Sequence, residues 1–455
     1  MQEIRAAFPA RDPPLAVDLF GQSNKPSQET SPPRTPQVDT FSEVDRQQNS
    51  NLVRSDNIDD NEEPLVAVIG CGYVGTQLIG SFSSHYDVLG FDVSKEQLRR
   101  LEEELGGEES RVSFTLDPRN LSRATHFLIS VPTLLKADKT IDTSYVRSAL
   151  TNVRKYARPG STVVIESSVA IGMTRQLLGP LAKEKGFFAG MSPERVDPGR
   201  TDPPMHTIPK VISGLDDVVP GSLAAITRLY SRVFDSIVPV STPETAEMTK
   251  LYENCQRMIA ITYANEMADA CVGHGIDPYE VCRAASTKPF GYTPFTPGLG
   301  VGGHCIPVNP YYLMANSSFP LLKMATETIN NPDSEHVEST ETSSRISLSE
   351  KSSSLFRPRV LVVGVGFKVG QSHLSNSPGL KLIQTLSDSG RVDVMFADAL
   401  VEQTAIPHIP RLDMSDWNKS SLEGFDMIIV AFKQKDMDFK VLDEVQNVKI
   451  EMWCP

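Results

Sequence analysis

Apolar and polar positions fall into three textures along this chain. Residues 1–62 carry few large apolar side chains among many Pro, Ser, Asp, Gln and Asn. Such a segment cannot bury enough surface to offset the entropy of ordering, so a disordered extension is expected there. From Leu65 the pattern changes to short continuous apolar runs: Val66 to Ile69, Val88 to Phe91, His126 to Val131, Thr162 to Ile165 and Lys210 to Ser213. Helix-like stretches alternate with them, at Tyr73 to Phe82, Ser94 to Glu104 and Ser144 to Tyr156. Runs without polar alternation read as strands covered on both faces, and their alternation with helices predicts a doubly wound parallel sheet.

At Thr242 the period lengthens. Thr as N-cap, Pro243 at the first helical position and Glu244 behind it start a long helix that is expected to run to about Gly273. Asn330 to Ser354, dominated by Ser, Glu and Thr, reads as a linker or an eroded helix. Arg359 to Val363 followed by Gly364-Val365-Gly366, with a later run Asp426 to Ala431, repeats the strand-then-glycine texture and predicts a second α/β unit. Its glycine spacing is not a full dinucleotide fingerprint and is a fold signal only. The fold class is therefore α/β: an extension (1–62), a Rossmann-type doubly wound domain (63–238), a central helical region (239–330), a linker (331–357) and a C-terminal Rossmann-like domain (358–455).

Composition narrows the function classes. The 455 residues suffice for two or three domains. With 44 Lys and Arg against 57 Asp and Glu, a formal charge of −13 and no basic stripe, a nucleic-acid partner is not expected. The six cysteines form no CxxC pair and no metal-ligand spacing with histidine, so neither a metal site nor a disulfide framework is indicated. No signal pattern opens the chain and no apolar run approaches about 18 residues, so a soluble, cytoplasmic protein without a membrane partner is expected.

Three groups of residues carry candidate chemistry. Gly70-Cys71-Gly72-Tyr73-Val74-Gly75 lies between a predicted strand and a predicted helix. There the first glycine permits the turn, the second lets a pyrophosphate approach, and the third packs helix on strand. Asp92 ends the next strand, where a carboxylate accepts from ribose hydroxyls and repels a 2′-phosphate, favouring NAD over NADP; an ordinary turn without cofactor is the alternative. On the long helix, Lys250, Asn254 and Arg257 share one face by their spacing. They are either a solvated stripe supported by Glu247 and Glu253 or donors aimed at an anionic or developing-oxyanion ligand. Finally, four glycines in six residues, Gly298 to Gly303, precede His304 and Cys305; the open backbone makes Cys305 a candidate nucleophile, against an inert thiol in a tight loop. Val131-Pro132-Thr133, Glu166-Ser167-Ser168 and Ser192-Pro193-Glu194-Arg195-Val196 follow or end strands at the sheet edge where ligands of such sheets bind, each bland alone.

These stretches, together with Ile208-Pro209-Lys210-Val211 and the block from Lys288-Pro289-Phe290-Gly291 to Pro307, resemble the UDP-glucose/GDP-mannose dehydrogenase family, nearest its UDP-N-acetylhexosamine branch. The resemblance covers about residues 65–325 and is most specific in the cysteine block. It implies an NAD-binding domain, a central helix used in dimerisation or higher assembly, a C-terminal domain holding the nucleotide of a UDP-sugar, and a place in polysaccharide biosynthesis. It also implies four-electron oxidation of the C6 alcohol to the uronate by two NAD molecules in turn, through a thiohemiacetal and a thioester on Cys305. Lys250 and Asn254 are implied as oxyanion stabilisers, and Glu194 and Thr133 as acid/base or water-orienting groups. Val131, Pro132 and Thr133 are implied at the cofactor, and Ser168 near its nicotinamide. Arg195, Val196, Arg257, Gly303, Phe367 and Lys368 are implied at the substrate, beside Lys250 and Asn254.

The sequence also departs from the family pattern. Asn309 stands where an aspartate is usual four residues after the cysteine, and His373 and Ser375 replace an aspartate and an arginine. An amide cannot take up a proton as a carboxylate does, so a loss of about 10²–10⁴ in thioester hydrolysis is expected if residue 309 is the base. A non-catalytic or stalled descendant that binds NAD or a nucleotide sugar is the alternative reading.

Overall fold

The computed structural model describes residues 63–107, 110–200, 202–330 and 357–454. The expected extension over 1–62 and, but for its last residue, the expected linker over 331–357 lie outside the described residues. The first half runs β1 (Leu65–Ile69), α1 (Tyr73–Ser83), β2 (Asp87–Phe91), α2 (Lys95–Leu105), β3 (Val112–Thr115) and β4 (His126–Ile129). A small ribbon, β5 (Leu134–Leu135) and β6 (Ile141–Asp142), precedes α3 (Ser144–Tyr156), β7 (Thr162–Ile165), α4 (Met173–Lys185) and β8 (Phe188–Met191). Then come β9 (Lys210–Gly214), α5 (Ser222–Tyr230) and β10 (Ile237–Pro239).

Eight of these strands form one sheet in the order β10-β9-β8-β7-β4-β1-β2-β3. Along β1 the period of two divides the core: Ala67 and Ile69 join Phe127, Ile129, Val153 and Leu178 on one face. Val66 and Val68 join Leu78, Phe82, Ile226 and Tyr230 on the other. Each such side chain contributes about 1.5–3 kcal/mol on burial. The expectation of a wholly parallel sheet needs one correction, since β8 and β9 pair antiparallel. The described residues among 192–209 that join them hold only a short 3₁₀ turn and no crossover helix, and parallel neighbours need such a crossover.

The long helix α6 spans Pro243–Val272, with Thr242 Oγ1 accepting from the Thr245 amide at its start, as the sequence predicts. It is followed by α7 (Pro278–Ala285), the glycine run, α8 (Asn309–Met314) and α9 (Pro320–Asn330). Leu251, Cys255 and Met258 of α6 pack with Val301, Val308, Tyr312 and Leu322 into a separate core, which fixes the cysteine loop on the helix. A second sheet, all parallel in the order β12-β11-β13-β14, is built from β11 (Arg359–Val363), β12 (Asp393–Ala397), β13 (Met427–Val430) and β14 (Lys449–Met452). The helix α10 (Pro378–Ser389) and the short α11 (Lys419–Leu422) accompany it. No described helix is long and apolar enough to cross a membrane.

Candidate functional site

The strand order of the large sheet reverses beside β1 and β4, and a crevice of this kind is where open α/β sheets bind ligands. Gly70, Cys71 and Gly72 make the turn from β1 into α1. Gly70 takes φ 93°, a conformation that penalises any side chain, and a Cβ on Gly75 would lie 1.9 Å from the Gly70 carbonyl oxygen. Gly72 differs: a Cβ there would meet nothing within 4 Å, and as N-cap it gives α1 no side-chain bond. The turn is thus open and no side chain caps the first helix amides. Asp92 Oδ2 accepts from Cys71 N at 2.7 Å and its Oδ1 from Ser94 N at 2.8 Å, which sets the part-exposed carboxylate beside the turn. Open glycines, a helix N-terminus and this acid fit the pyrophosphate and ribose of NAD. Val74 packs on the core beneath, while the Tyr73 hydroxyl donates to Asp197 O at 3.4 Å. Across the crevice Thr133 Oγ1 donates to Ser168 O at 2.7 Å, and Ser167 Oγ donates to Val131 O at 2.7 Å. Pro132 between them is exposed.

On α6, Lys250 is 8% and Asn254 4% exposed, while Arg257 is exposed. The solvated-stripe alternative therefore fails for two of the three. Burial pushes the Lys250 ammonium below its usual range, and Cys305, Glu194 and Glu253 pull it back. Asn254 Nδ2 donates to Asn309 Oδ1 at 2.5 Å in a buried amide pair. Asn309 is held in turn by its own backbone amide, which donates to Cys305 O at 2.9 Å where the cysteine loop enters α8. Cys305 itself is exposed, at the end of a run in which Gly300 and Gly303 take positive φ. Glu247 is not a partner on a solvated stripe: it is 1% exposed, and its carboxylate accepts from Gly172 N and Thr174 N at the uncapped start of α4.

Glu194 is buried between backbone and a buried cation. Its Oε1 accepts from Arg195 N at 2.6 Å and Val196 N at 2.9 Å, and its Oε2 from Lys210 Nζ at 2.7 Å. Lys210 Nζ also donates to Glu166 Oε2 at 2.8 Å, and the Tyr230 hydroxyl closes the other Glu166 oxygen. Burial lifts the Glu166 carboxyl well above the usual range, against the pull of Lys210. Arg195 is already engaged, with Glu253 Oε1 at 2.6 Å and Pro209 O at 2.9 Å.

The loop after β11 reaches back to the cysteine run. A Cβ on Gly303 would touch the Phe367 ring at 3.0 Å, so glycine lets the ring seat there. Gly303 N donates to Ser375 O at 2.8 Å, and Asn376 Nδ2 donates to Gly303 O at 2.9 Å. Lys368 Nζ bonds Asp197 Oδ2 at 2.7 Å, tying this loop to the segment that carries Glu194. His373 lies within electrostatic reach of His304.

The structure thus joins Cys305, Lys250, Asn254, Asn309 and Glu194 in one neighbourhood, with Phe367, Lys368 and Gly303 at its edge, and places Thr133 and Ser168 together at the crevice. Arg257 stands at the rim. Sequence reasoning missed Lys210, Glu166 as its partner, Tyr230 and Tyr312. Tyr312 is 0% exposed and its hydroxyl has no hydrogen-bond partner among the described residues. The only sequence signals were a lysine opening an apolar strand after Pro209 and a glutamate ending another.

Comparison with known proteins identifies the family. The NAD binding domain of the UDP-glucose/GDP-mannose dehydrogenase family matches residues 65–234, and the family's central domain matches residues 244–331. A UDP-N-acetyl-D-glucosamine 6-dehydrogenase of Salmonella typhi is 32% identical over 400 residues, 81% of this chain and 90% of that protein. The same-named protein of Pseudomonas aeruginosa is 31% identical over 72% of this chain and 82% of its own length. Among solved structures, a UDP-D-ManNAc dehydrogenase of Pyrococcus horikoshii superposes with a TM-score of 0.71 at 26% identity, covering 86% of this chain and 99% of that one. With the family's NAD binding and central domains matched and relatives aligned over most of its length, the chain belongs to the UDP-glucose/GDP-mannose dehydrogenase family.

Proposed function

We propose that this NAD-dependent dehydrogenase oxidises the C6 alcohol of a UDP-N-acetylhexosamine, or of UDP-glucose, to the uronate. The observation that carries the reading is the burial of Lys250 and Asn254 on one helix face against the loop that exposes Cys305. NAD, held at Gly70, Gly72, Gly75 and Asp92, supplies a hydride acceptor when bound. The residues do the rest. Lys250, a buried cation beside Cys305, stabilises negative charge on the C6 oxygen. Cys305 Sγ adds to the C6 aldehyde to give a thiohemiacetal, whose oxidation leaves a thioester; water then expels the thiol and leaves the carboxylate. Glu194 takes up a proton near C6, and Thr133 and Ser168 position the reacting face. Phe367 and Lys368 hold the sugar from the C-terminal side, whose domain takes the nucleotide. The names of the relatives support the N-acetylhexosamine branch.

A homodimer or larger assembly fits the apolar surface of the central helices, where Tyr252 is 70% and Tyr263 58% exposed. Six free cysteines without a disulfide fit a reducing cytoplasm. Counting NADH per sugar over a panel of UDP-sugars tests the reading. Two NADH per sugar are expected, cut to one at most by Cys305→Ala, which removes the thiol needed for the second oxidation; NAD binding without turnover on any sugar overturns it.

One observation favours slow release of the intermediate. Asn309 gives its oxygen to Asn254 and has no carboxylate with which to activate water. A sugar adduct on Cys305 is therefore expected by mass spectrometry during turnover, and Asn309→Asp should shorten its lifetime by a factor of about 10 or more. An unchanged lifetime removes residue 309 from the hydrolytic step.

A further inference from the structure

Lys210 is 2% exposed, Glu166 1% and Glu194 6%, so three charged groups share a site closed to water. The rings of Tyr230 and Phe234 lie 5.9 and 5.4 Å from the ammonium and complete the enclosure. Removing charges from water costs several kcal/mol per ion, and apolar replacements of such clusters are often neutral or stabilising, so stability alone does not explain this one. The network is also lopsided. Glu166 ends blindly against Tyr230, whereas Glu194 couples electrostatically to Lys250. Glu194 is faced by Lys210 from β9, Glu166 from the end of β7, Tyr230 from α5, Lys250 from α6 and Tyr73 from α1. Of these, only Lys210 is a cation in direct contact with it. Without that ammonium, two buried carboxylates would confront each other and one would have to take a proton.

We propose that Lys210 is a positioning residue of this site: by bonding Glu166 and Glu194 together it fixes where the Glu194 carboxylate stands beside Lys250. The inference rests on the oxidation reading above. Lys210 touches neither substrate nor cofactor and acts through Glu194.

The test is the pH profile of kcat/KM for the UDP-sugar that wild type oxidises. In Lys210→Met, kcat is expected to fall about 10²-fold, with KM for sugar and NAD within about threefold, because the proton acceptor is displaced while the binding groups are not. Its acid limb should move up, because Glu194 loses the cation that bonds it. Glu166→Gln should move the same limb down, since Lys210 then serves Glu194 alone. If Lys210→Met does not fold, the sign of the Glu166→Gln shift still decides. A folded variant of either kind whose acid limb stays at the wild-type position overturns the inference. Wild type that oxidises no UDP-sugar overturns the oxidation reading itself, and this inference with it.

Discussion

The two larger sheets begin alike and end differently. In each, the first strand delivers a glycine in positive φ, Gly70 at 93° and Gly364 at 83°, whose amide bonds the neighbouring strand, to Phe91 O and to Ala397 O, both at 2.9 Å. In each, a glycine in the following helix sits against that turn: a Cβ on Gly75 would meet Gly70 O at 1.9 Å, and one on Gly379 would meet Gly364 O at 2.7 Å. In each, an aspartate ends or follows the second strand and accepts from the turn's amides, Asp92 from Cys71 N and Asp398 from Val365 N and Gly366 N. Yet Asp398 is 0% exposed, and the amides of Leu400 and Val401 and the Gln434 side chain take its remaining capacity. A Cβ on Gly366 would strike Gln371 O at 2.5 Å, and Ser377 Oγ caps α10, whereas Gly72 is open and no side chain caps α1. Only three residues separate β1 from α1, while the second connection spans residues 364–377 and carries Phe367 and Lys368 out to the cysteine loop. The strand, turn and acid make the fold. What fills the turn decides whether its amides are open to a pyrophosphate, and the longer connection of the second copy carries Phe367 to the cysteine loop and Lys368 to Asp197.

The largest expected effect comes from filling the open turn. Gly75→Val places atoms on the Gly70 carbonyl, and overpacking of this kind costs about 1–3 kcal/mol or more. Thermal denaturation should show a fall of several degrees, and calorimetry should show NAD binding lost. Gly72→Val, with free space at its Cβ, should leave the melting temperature in place while weakening NAD by a factor of about 10 or more, since only the ligand needs that space. Equal destabilisation by both variants would show that the first turn is as closed as the second.

Exchanging the two aspartates for asparagine should give opposite readouts. Asp92→Asn removes the charge that excludes a 2′-phosphate, so the preference for NAD over NADP should fall by a factor of about 10, with little change in stability. Asp398→Asn puts an amide where five donors converge, and leaving buried amides unsatisfied costs about 1–3 kcal/mol. It should lower the melting temperature without altering NAD affinity. A change in cofactor affinity from Asp398→Asn would overturn the contrast.

Local pattern made the first of these turns legible and left the second half-read. Strand, three spaced glycines and Asp92 are all within the 28 residues from Leu65 to Asp92, and the start of α6 at Thr242-Pro243-Glu244 is equally local. Gly364-Val365-Gly366 was readable as a fold signal, but its third glycine, Gly379, stands beyond the inserted loop where no spacing rule finds it. Cys305 was legible because glycines on one side of a cysteine are a composition signal. Lys210 was not, because its partners lie 44 residues before it, at Glu166, and 16 before it, at Glu194, and meet it only when β7, β8 and β9 are laid side by side. Glu247 was misjudged for the same reason: the helix start that needs its carboxylate is α4, over 70 residues upstream.

The smallest effect separates the two sheets by acid. β4 opens with His126 in register with Val66 of β1, and the same place beside Val360 of β11 is held by Met427 of β13. Burial, with Arg228 adding to it, drops the His126 imidazole from 6.5 to about 4, and its Nδ1 shares a 2.8 Å hydrogen bond with Thr125 Oγ1. The folded pKa is below the unfolded one, so between these values the unfolded chain binds more protons. Stability is full above pH 6.5 and drains as pH falls toward 4. The first sheet should therefore loosen first: between pH 7 and 4.5, hydrogen exchange should quicken at β1 and β4 more than at β11 and β13. His126→Gln should reduce that difference, because it removes the imidazole's share and leaves Glu166, at the end of β7 beside β4, as the group that still titrates in this range. Equal quickening in both sheets of the wild type would place the acid sensitivity elsewhere than His126.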